Sequence, residues 1–319
     1  MTEIISIVDT AQEPPKDYFM PVIRERTMAF MNSQTKLDED GKLTIIEEAQ
    51  DILSHCILPG NQENITNIAV GYVQSGKTLS FTTLTALAAD NGWRIIIYLT
   101  GTKTNLKEQT SARLRSDLII DDNDDYKIFA DANISDRNRV KNFMEMGEET
   151  LLFPILKHYK HINSLAQIFE DPEIQNLLSN YGVIIIDDEA DQASFNTFAK
   201  KNSGKEDWED DDFSQTYSAI LRLKKALPNH SYIQYTATPQ AAFLIDNNDI
   251  LSPKYHTVLT PGKGYTGGKF FFKNQELNLI SIIPDEEIYH FSRNPLTEIP
   301  TSLLEALRQF IISVTIVVL

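Results

Sequence analysis

Apolar positions along this 319-residue chain keep two rhythms, and the places where one gives way to the other outline the fold. Within residues 1–63, "PVIRERTMAFMNS" and "TIIEEAQDILSHCIL" space their apolar residues as helices do, until "PGNQEN" (Pro59–Asn64) breaks the pattern. A short β-type run, "ITNIAVG", follows and ends at Gly71. "KTLSFTTLTALAADNG" then reads as a helix closed by Asn91-Gly92. "WRIIIYLT" (Trp93–Thr100) is an almost unbroken apolar strand, the kind that a parallel sheet covers on both faces. The alternation continues with a helix in "TNLKEQTSARLRSDL", a strand in "ETLLFPILK" and one or two helices in "INSLAQIFEDPEIQNLLSN". It closes with a strand in "GVIIIDDEAD", a helix in "YSAILRLKKALPN" and a strand in "SYIQYTATP". Strands and helices in turn predict a doubly wound α/β domain with a mostly parallel sheet. Its core is expected over residues 64–245, after a helical N-terminal extension (1–63) and before a C-terminal segment (246–319).

Composition agrees with a globular chain, at 42% hydrophobic and 23% charged residues, values that suit a packed core and argue against global disorder. The single cysteine, Cys56, excludes an intramolecular disulfide and reads as a small buried apolar residue. The N-terminal stretch has acids and prolines where a secretory signal would need basic, apolar and small residues in succession, so a cytoplasmic location is expected. "FIISVTIVVL" at the C-terminal end is too short to span a bilayer and reads as the start of a buried element, so no membrane partner is expected. The net charge of −16 argues against a broad basic surface, while leaving room for a local basic groove. Much of the acid sits in "DDNDD" (Asp121–Asp125) and "EDWEDDD" (Glu206–Asp212), which read as solvated loops.

The chemistry concentrates after three of the strands. "GYVQSGKT" fits G-x-x-x-x-G-K-[ST] and lies between a strand and a helix, as a phosphate cradle must. Glycines let successive N–H groups turn inward to phosphate oxygens, and the following helix adds its positive end. Gly71, Val73, Gln74, Ser75, Gly76, Lys77 and Thr78 are therefore the candidate nucleotide-binding residues. Lys77 would neutralise the β- and γ-phosphates, and Thr78 would offer its hydroxyl to Mg²⁺. "VIIIDDEAD" delivers acids to the C-terminal end of a buried strand, where ligands of open parallel sheets gather. Asp188 is assigned to Mg²⁺ through water, with Asp187 sharing the metal, and Glu189 to the attacking water. In "YTATP", short hydroxyl side chains at a strand end are placed to bond acids on a neighbouring strand.

In this order, "GYVQSGKT", "DDEAD" and "YTATP" resemble the ATPase motifs of DEAD-type helicases of superfamily two. A closer similarity is to the Z-one domain family, helicase-like proteins also described as endonucleases. That family's pattern is matched by Gly71–Thr78, Leu99–Thr110, Ile186–Asn196 and Tyr232–Ala241, and Ser252–Phe272 looks like its continuation. The resemblance implies a first RecA-like P-loop lobe that binds ATP and Mg²⁺. It implies that Thr236 and Thr238 couple hydrolysis to nucleic acid, with DNA the expected strand. It also implies that Thr100, Gly101 and Thr102 lie near the strand-binding groove. Members occur beside DNA methylases and mismatch-repair-like ATPases in bacterial restriction or phage-defence clusters, which makes such proteins the expected partners.

The chain departs from the pattern after Pro239, where no Q-x-x-G-R-x-x-R follows and Arg293 and Arg308 are the only arginines. The second lobe and its arginine are therefore expected to be missing, leaving a chain that binds nucleotide better than it hydrolyses it. No separate carboxylate–lysine constellation supports a nuclease. The alternative function is a nucleotide-gated scaffold that assembles with a partner and turns over little. Arg113 and Arg115 are candidates for backbone contacts, whereas Lys200, Lys201 and Lys205 read as a solvated loop. His158 and His161 share a helical face but lack an evident third zinc ligand, and Tyr232 and Tyr235 read as sheet-face residues.

Overall fold

A computed structural model describes residues 19–72, 76–118, 125–192, 215–243, 249–273, 281–293 and 299–318. Two helices lead, α1 (Glu25–Ser33) and α2 (Glu39–Ser54), the second capped by Asp38, whose carboxylate accepts from the Gly41 N–H at 2.9 Å. Strand β1 (Ile65–Val70) runs into α3 (Lys77–Asp90), β2 (Trp93–Thr100) and α4 (Thr104–Leu118). β3 (Tyr126–Ile128), α5 (Arg137–Met146) and β4 (Thr150–Leu156) follow, then α6 (Tyr159–Phe169), α7 (Pro172–Leu178) and β5 (Gly182–Asp188). The sheet is completed by α8 (Gln215–Ala226), β6 (His230–Thr236), the short α9 (Gln240–Phe243) and β7 (Tyr255–Val258).

The seven strands are all parallel, in the order β3-β4-β2-β5-β6-β1-β7. Their apolar residues split by strand alternation into two cores. Ile95, Ile97, Phe153, Ile155, Val183 and Ile185 face α5 to α8. Ala69, Ile96, Tyr98, Ile184, Ile186 and Tyr235 face α1 to α4. Both faces are thus covered by helices, which is why the strands read as continuous apolar runs. This is the doubly wound RecA-like α/β fold, and the leading helices add to one of its faces. Cys56 lies in the second core, where burial pushes its thiol up to about 12.

The chain divides into two compact units, Met1–Tyr265 and Thr266–Leu319. β7 belongs to the first, so the sheet takes a strand from beyond residue 245. The second unit contains α10 (Gly268–Lys273), α11 (Asp285–Arg293) and α12 (Thr301–Val318). Among the described residues, no helix is long and apolar enough to cross a membrane. β3 is short for a readable reason. Its neighbour β4 carries Pro154, whose carbonyl already accepts from Asp131 on that side, and a proline has no N–H to extend the ladder there.

One buried lysine is expected to make stability depend on pH. Lys224 is 2% exposed and donates to the Thr66 hydroxyl (2.8 Å) and the Ile250 carbonyl (3.0 Å). Burial pulls its ammonium down to about 7, with Asp249 and Asp187 opposing the change. The unfolded chain then holds the proton that the fold disfavours, so stability should rise with pH from about 7 towards 10.5. Urea unfolding across that window should show the slope, and Lys224→Met should flatten it; an unchanged slope in the variant would assign it elsewhere.

Candidate functional site

In a parallel sheet every strand ends at the same edge, and here that edge collects the motif residues. β1 delivers Gly71, whose N–H continues the ladder to the Thr236 carbonyl at 3.0 Å. The chain re-enters helix at Gly76, with φ of +100°, in the left-handed region that glycine occupies without strain. Lys77 and Thr78 then open α3, where unsatisfied N–H groups and the helix dipole favour an anion. Val73, Gln74 and Ser75 lie outside the described residues.

β5 ends two strands away, with β6 between it and β1. Two strand spacings are about 10 Å, and long side chains close the gap: Lys77 Nζ stands 3.6 Å from Glu189 Oε1. Asp188 is on the same face, because it continues the alternation of Ile184 and Ile186 towards α3. Burial first, then the charge of Glu189, pushes the Asp188 carboxyl up to about 6, against the pull of Lys157 and Lys77. A half-buried acid beside another acid is a place that a cation relieves. Among the described residues no group of three or more His, Cys, Asp or Glu forms a metal cage. Mg²⁺ does not need one, since it is commonly held by one or two carboxylates together with nucleotide phosphates. Asp188 and the Thr78 hydroxyl suit that mode.

Asp187 requires a correction. It alternates with Ile185 and Val183 onto the opposite face, is 0% exposed, and cannot share a metal with Asp188. Its Oδ1 pairs with Lys157 Nζ at 2.6 Å and its Oδ2 accepts from the Tyr232 hydroxyl at 2.6 Å. Lys157 also donates to the carbonyls of Asp188 (2.6 Å) and Glu189 (2.8 Å). One fully buried ammonium thus fixes the turn that presents both remaining acids. Glu189 itself sits at φ +53°, a left-handed conformation that costs a residue with a side chain about 1–2 kcal/mol. The Ala190 N–H, bonded to the Tyr235 carbonyl at 3.0 Å, helps to hold it there. Sequence reasoning missed Lys157. The signal was a lysine closing an all-apolar strand at the edge where the acids emerge.

The hydroxyl at the end of β6 does meet an acid: Thr236 Oγ1 donates to Asp191 Oδ1 at 2.8 Å. The Thr238 N–H donates to Thr236 Oγ1 at 3.0 Å. Asp191, the last acid of the "DDEAD" run, is the acid concerned. Thr100 is a second correction. It is 0% exposed and its hydroxyl donates to the Ile155 carbonyl at 2.9 Å, so it pegs β2 to β4 and does not face a groove. Gly101 is buried beside it, whereas Thr102 is exposed before α4. Arg113 is exposed on α4, about 13 Å along the helix from Thr104. His158 caps α6 and His161 lies 3.2 Å from Asp131. Lys200, Lys201 and Lys205 lie outside the described residues.

No protein-family model matches the chain, and no curated protein matches it. Among solved structures it is similar to a crystal structure of the DUF1998 helicase MrfA bound to DNA. That likeness has 16% identity and a TM-score of 0.46, over 77% of this chain and 30% of that one. The same helicase bound to DNA and AMPPNP gives 17% identity and a TM-score of 0.46, over 78% and 30%. A prototypical ATPase from the type III secretion system of pathogenic bacteria gives 14% identity and a TM-score of 0.29, over 62% and 51%. The chain therefore spans about 30% of the length of the helicase structures it matches.

Proposed function

We propose that the sheet domain is a Mg²⁺-dependent ATPase lobe of a helicase-like DNA translocase or remodeller. The observation that carries this is the approach of Lys77 Nζ to Glu189 Oε1 at 3.6 Å, with Asp188 on the same sheet face. Main-chain N–H groups at Gly76 and the first turn of α3 bind the phosphates, and Lys77 sets its charge against the β- and γ-oxygens. Thr78 and Asp188 would hold the Mg²⁺, which when bound would neutralise phosphate charge. Glu189 orients the attacking water and takes its proton. Thr236, through Asp191, ties the acid turn to β6, and the exposed Thr238 that follows is assigned to nucleic-acid coupling.

The finer placement in superfamily two and the Z-one domain family rests on the four motif segments and their order. DNA as the strand, and a setting beside methylase or mismatch-repair-like partners in a bacterial restriction or defence system, rest on the same resemblance.

The test is ATP binding by calorimetry with Mg²⁺, and ATPase rate with and without single-stranded and duplex DNA. Glu189→Gln should keep ATP affinity within about threefold while lowering turnover by about 10²-fold or more, the usual range for losing a general base. Binding without any turnover in the wild-type chain would favour the nucleotide-gated scaffold. Absence of ATP binding would remove both readings.

A further inference from the structure

Glu189 carries a side chain in the left-handed region, at φ +53°, where an unconstrained backbone would not leave it. Two peptide units flank its Cα, and the Lys157 ammonium holds both. Lys157 Nζ donates to the Asp188 carbonyl at 2.6 Å and to the Glu189 carbonyl at 2.8 Å. The first carbonyl turns with φ of Glu189 and the second with its ψ. One atom bonded to both therefore locks the two soft dihedrals of that residue together. An ammonium has three protons, so two of them serve this grip while its charge faces Asp187 Oδ1 at 2.6 Å.

The ammonium is itself held in place. The Lys157 N–H donates to the Thr100 carbonyl at 3.1 Å, at the end of β2, and β2 lies between β4 and β5. From that pinned backbone the side chain reaches past β2 to the acid turn, 0% exposed along its length. The Tyr232 hydroxyl, donating to Asp187 Oδ2 at 2.6 Å, fixes the counter-charge from its other side. Beyond the turn the hold is lighter, a single bond from the Ala190 N–H to the Tyr235 carbonyl at 3.0 Å. The carboxylate of Glu189 meanwhile remains 35% exposed, 3.6 Å from Lys77 Nζ. A buried grip on the backbone thus aims a side chain that stays open to water.

We infer that Lys157 is a positioning residue for ATP hydrolysis: its two carbonyl bonds set the direction in which Glu189 points, while its ion pair with Asp187 serves the stability of the fold. Without the ammonium, Glu189 relaxes out of the left-handed region and its carboxylate swings away from the attacking water. A displacement of about 1 Å can cost about 10²-fold in rate. The inference rests on the hydrolytic role of Glu189 proposed above, and its test separates the two.

Two variants of the whole chain divide the two roles. Asp187→Asn keeps the ammonium on both carbonyls but removes its counter-charge. It should lose stability in urea and keep kcat for Mg²⁺–ATP within about threefold of wild type. Lys157→Met with Asp187→Leu should do the reverse. Its urea stability should lie near wild type and its Kd and KM for Mg²⁺–ATP within about threefold, while kcat falls about 10²-fold. On a Glu189→Gln background the same double change should cost less than about threefold more, because the base it aims is already gone. Without nucleotide, the Ala190 N–H should exchange with solvent faster in the double variant, and the Ile184 and Ile186 N–H groups at wild-type rates. Wild-type kcat or wild-type Ala190 exchange in the double variant overturns the inference. So does a kcat loss in Asp187→Asn as large as in the double variant, or a loss that is undiminished on the Glu189→Gln background. A wild-type chain that binds ATP without turnover removes the hydrolytic role of Glu189, and this positioning role with it, whatever the exchange at Ala190.

Discussion

Replacing Lys157 by Met is expected to cost the fold about 3–5 kcal/mol, the range for removing one partner of a buried ion pair. Lys157 and Asp187 are both 0% exposed at the side chain, so the surviving carboxylate would lose the cation it touches. The Tyr232 hydroxyl would still donate to Asp187 and Lys224 would still act on it electrostatically, but neither replaces a direct ion pair for a buried charge. The carbonyls of Asp188 and Glu189 would lose their ammonium as well. Urea unfolding measures the loss. Replacing the pair together, Lys157→Met with Asp187→Leu, should recover most of it, because a buried ion pair is often worth little more than a well-packed apolar one. A single variant that loses under about 1 kcal/mol would show that the pair is not the anchor of the acid turn.

The second large effect concerns binding. Lys77→Ala should weaken Mg²⁺–ATP by about 3 kcal/mol, roughly a hundredfold, the upper range for charged hydrogen bonds. The fold should persist, because Glu189 is 35% exposed at the side chain and water can replace its contact with the buried Lys77. Calorimetry with ATP reads the first expectation and thermal unfolding the second. Unchanged affinity would refute the phosphate assignment; loss of both would mean that Lys77 acts through structure. Glu189→Gln provides the contrast, since it should separate turnover from affinity.

The strands that carry the site were legible because they are buried on both faces. Ile95 to Leu99 and Val183 to Ile186 are each 0–1% exposed, and an unbroken apolar run that short fits a strand covered on both sides. What escaped was short or sparsely apolar. β3 has three residues, and α5 fully buries only Val140 and Met144, with Phe143 partly buried and Met146 exposed. β7 buries Thr257 alone and looks like loop until its ladder to β1 is seen. At the site, motif spacing places Lys77, Asp188 and Glu189 together, and the structure brings Lys77 Nζ within 3.6 Å of Glu189 Oε1. Asp187 was misjudged by counting consecutive acids, although the two-residue period of a strand already sends Asp187 and Asp188 to opposite faces. Thr100 was carried over by resemblance, and its bond to the Ile155 carbonyl depends on a strand pairing that no local pattern reveals.

The neighbours of β1 also bear on how the molecule comes into being. Ile65 lies opposite Ser231 and Asn67 opposite Tyr255, so most of the domain's length separates partners in the same ladder. Closing such a loop forfeits chain entropy before any contact repays it, which places this pairing late in folding. During synthesis, the stretch that contains the glycine loop must wait for nearly the whole domain to emerge before its strand has neighbours. A ligand that bound only the finished arrangement of these strands would stabilise the native state by mass action.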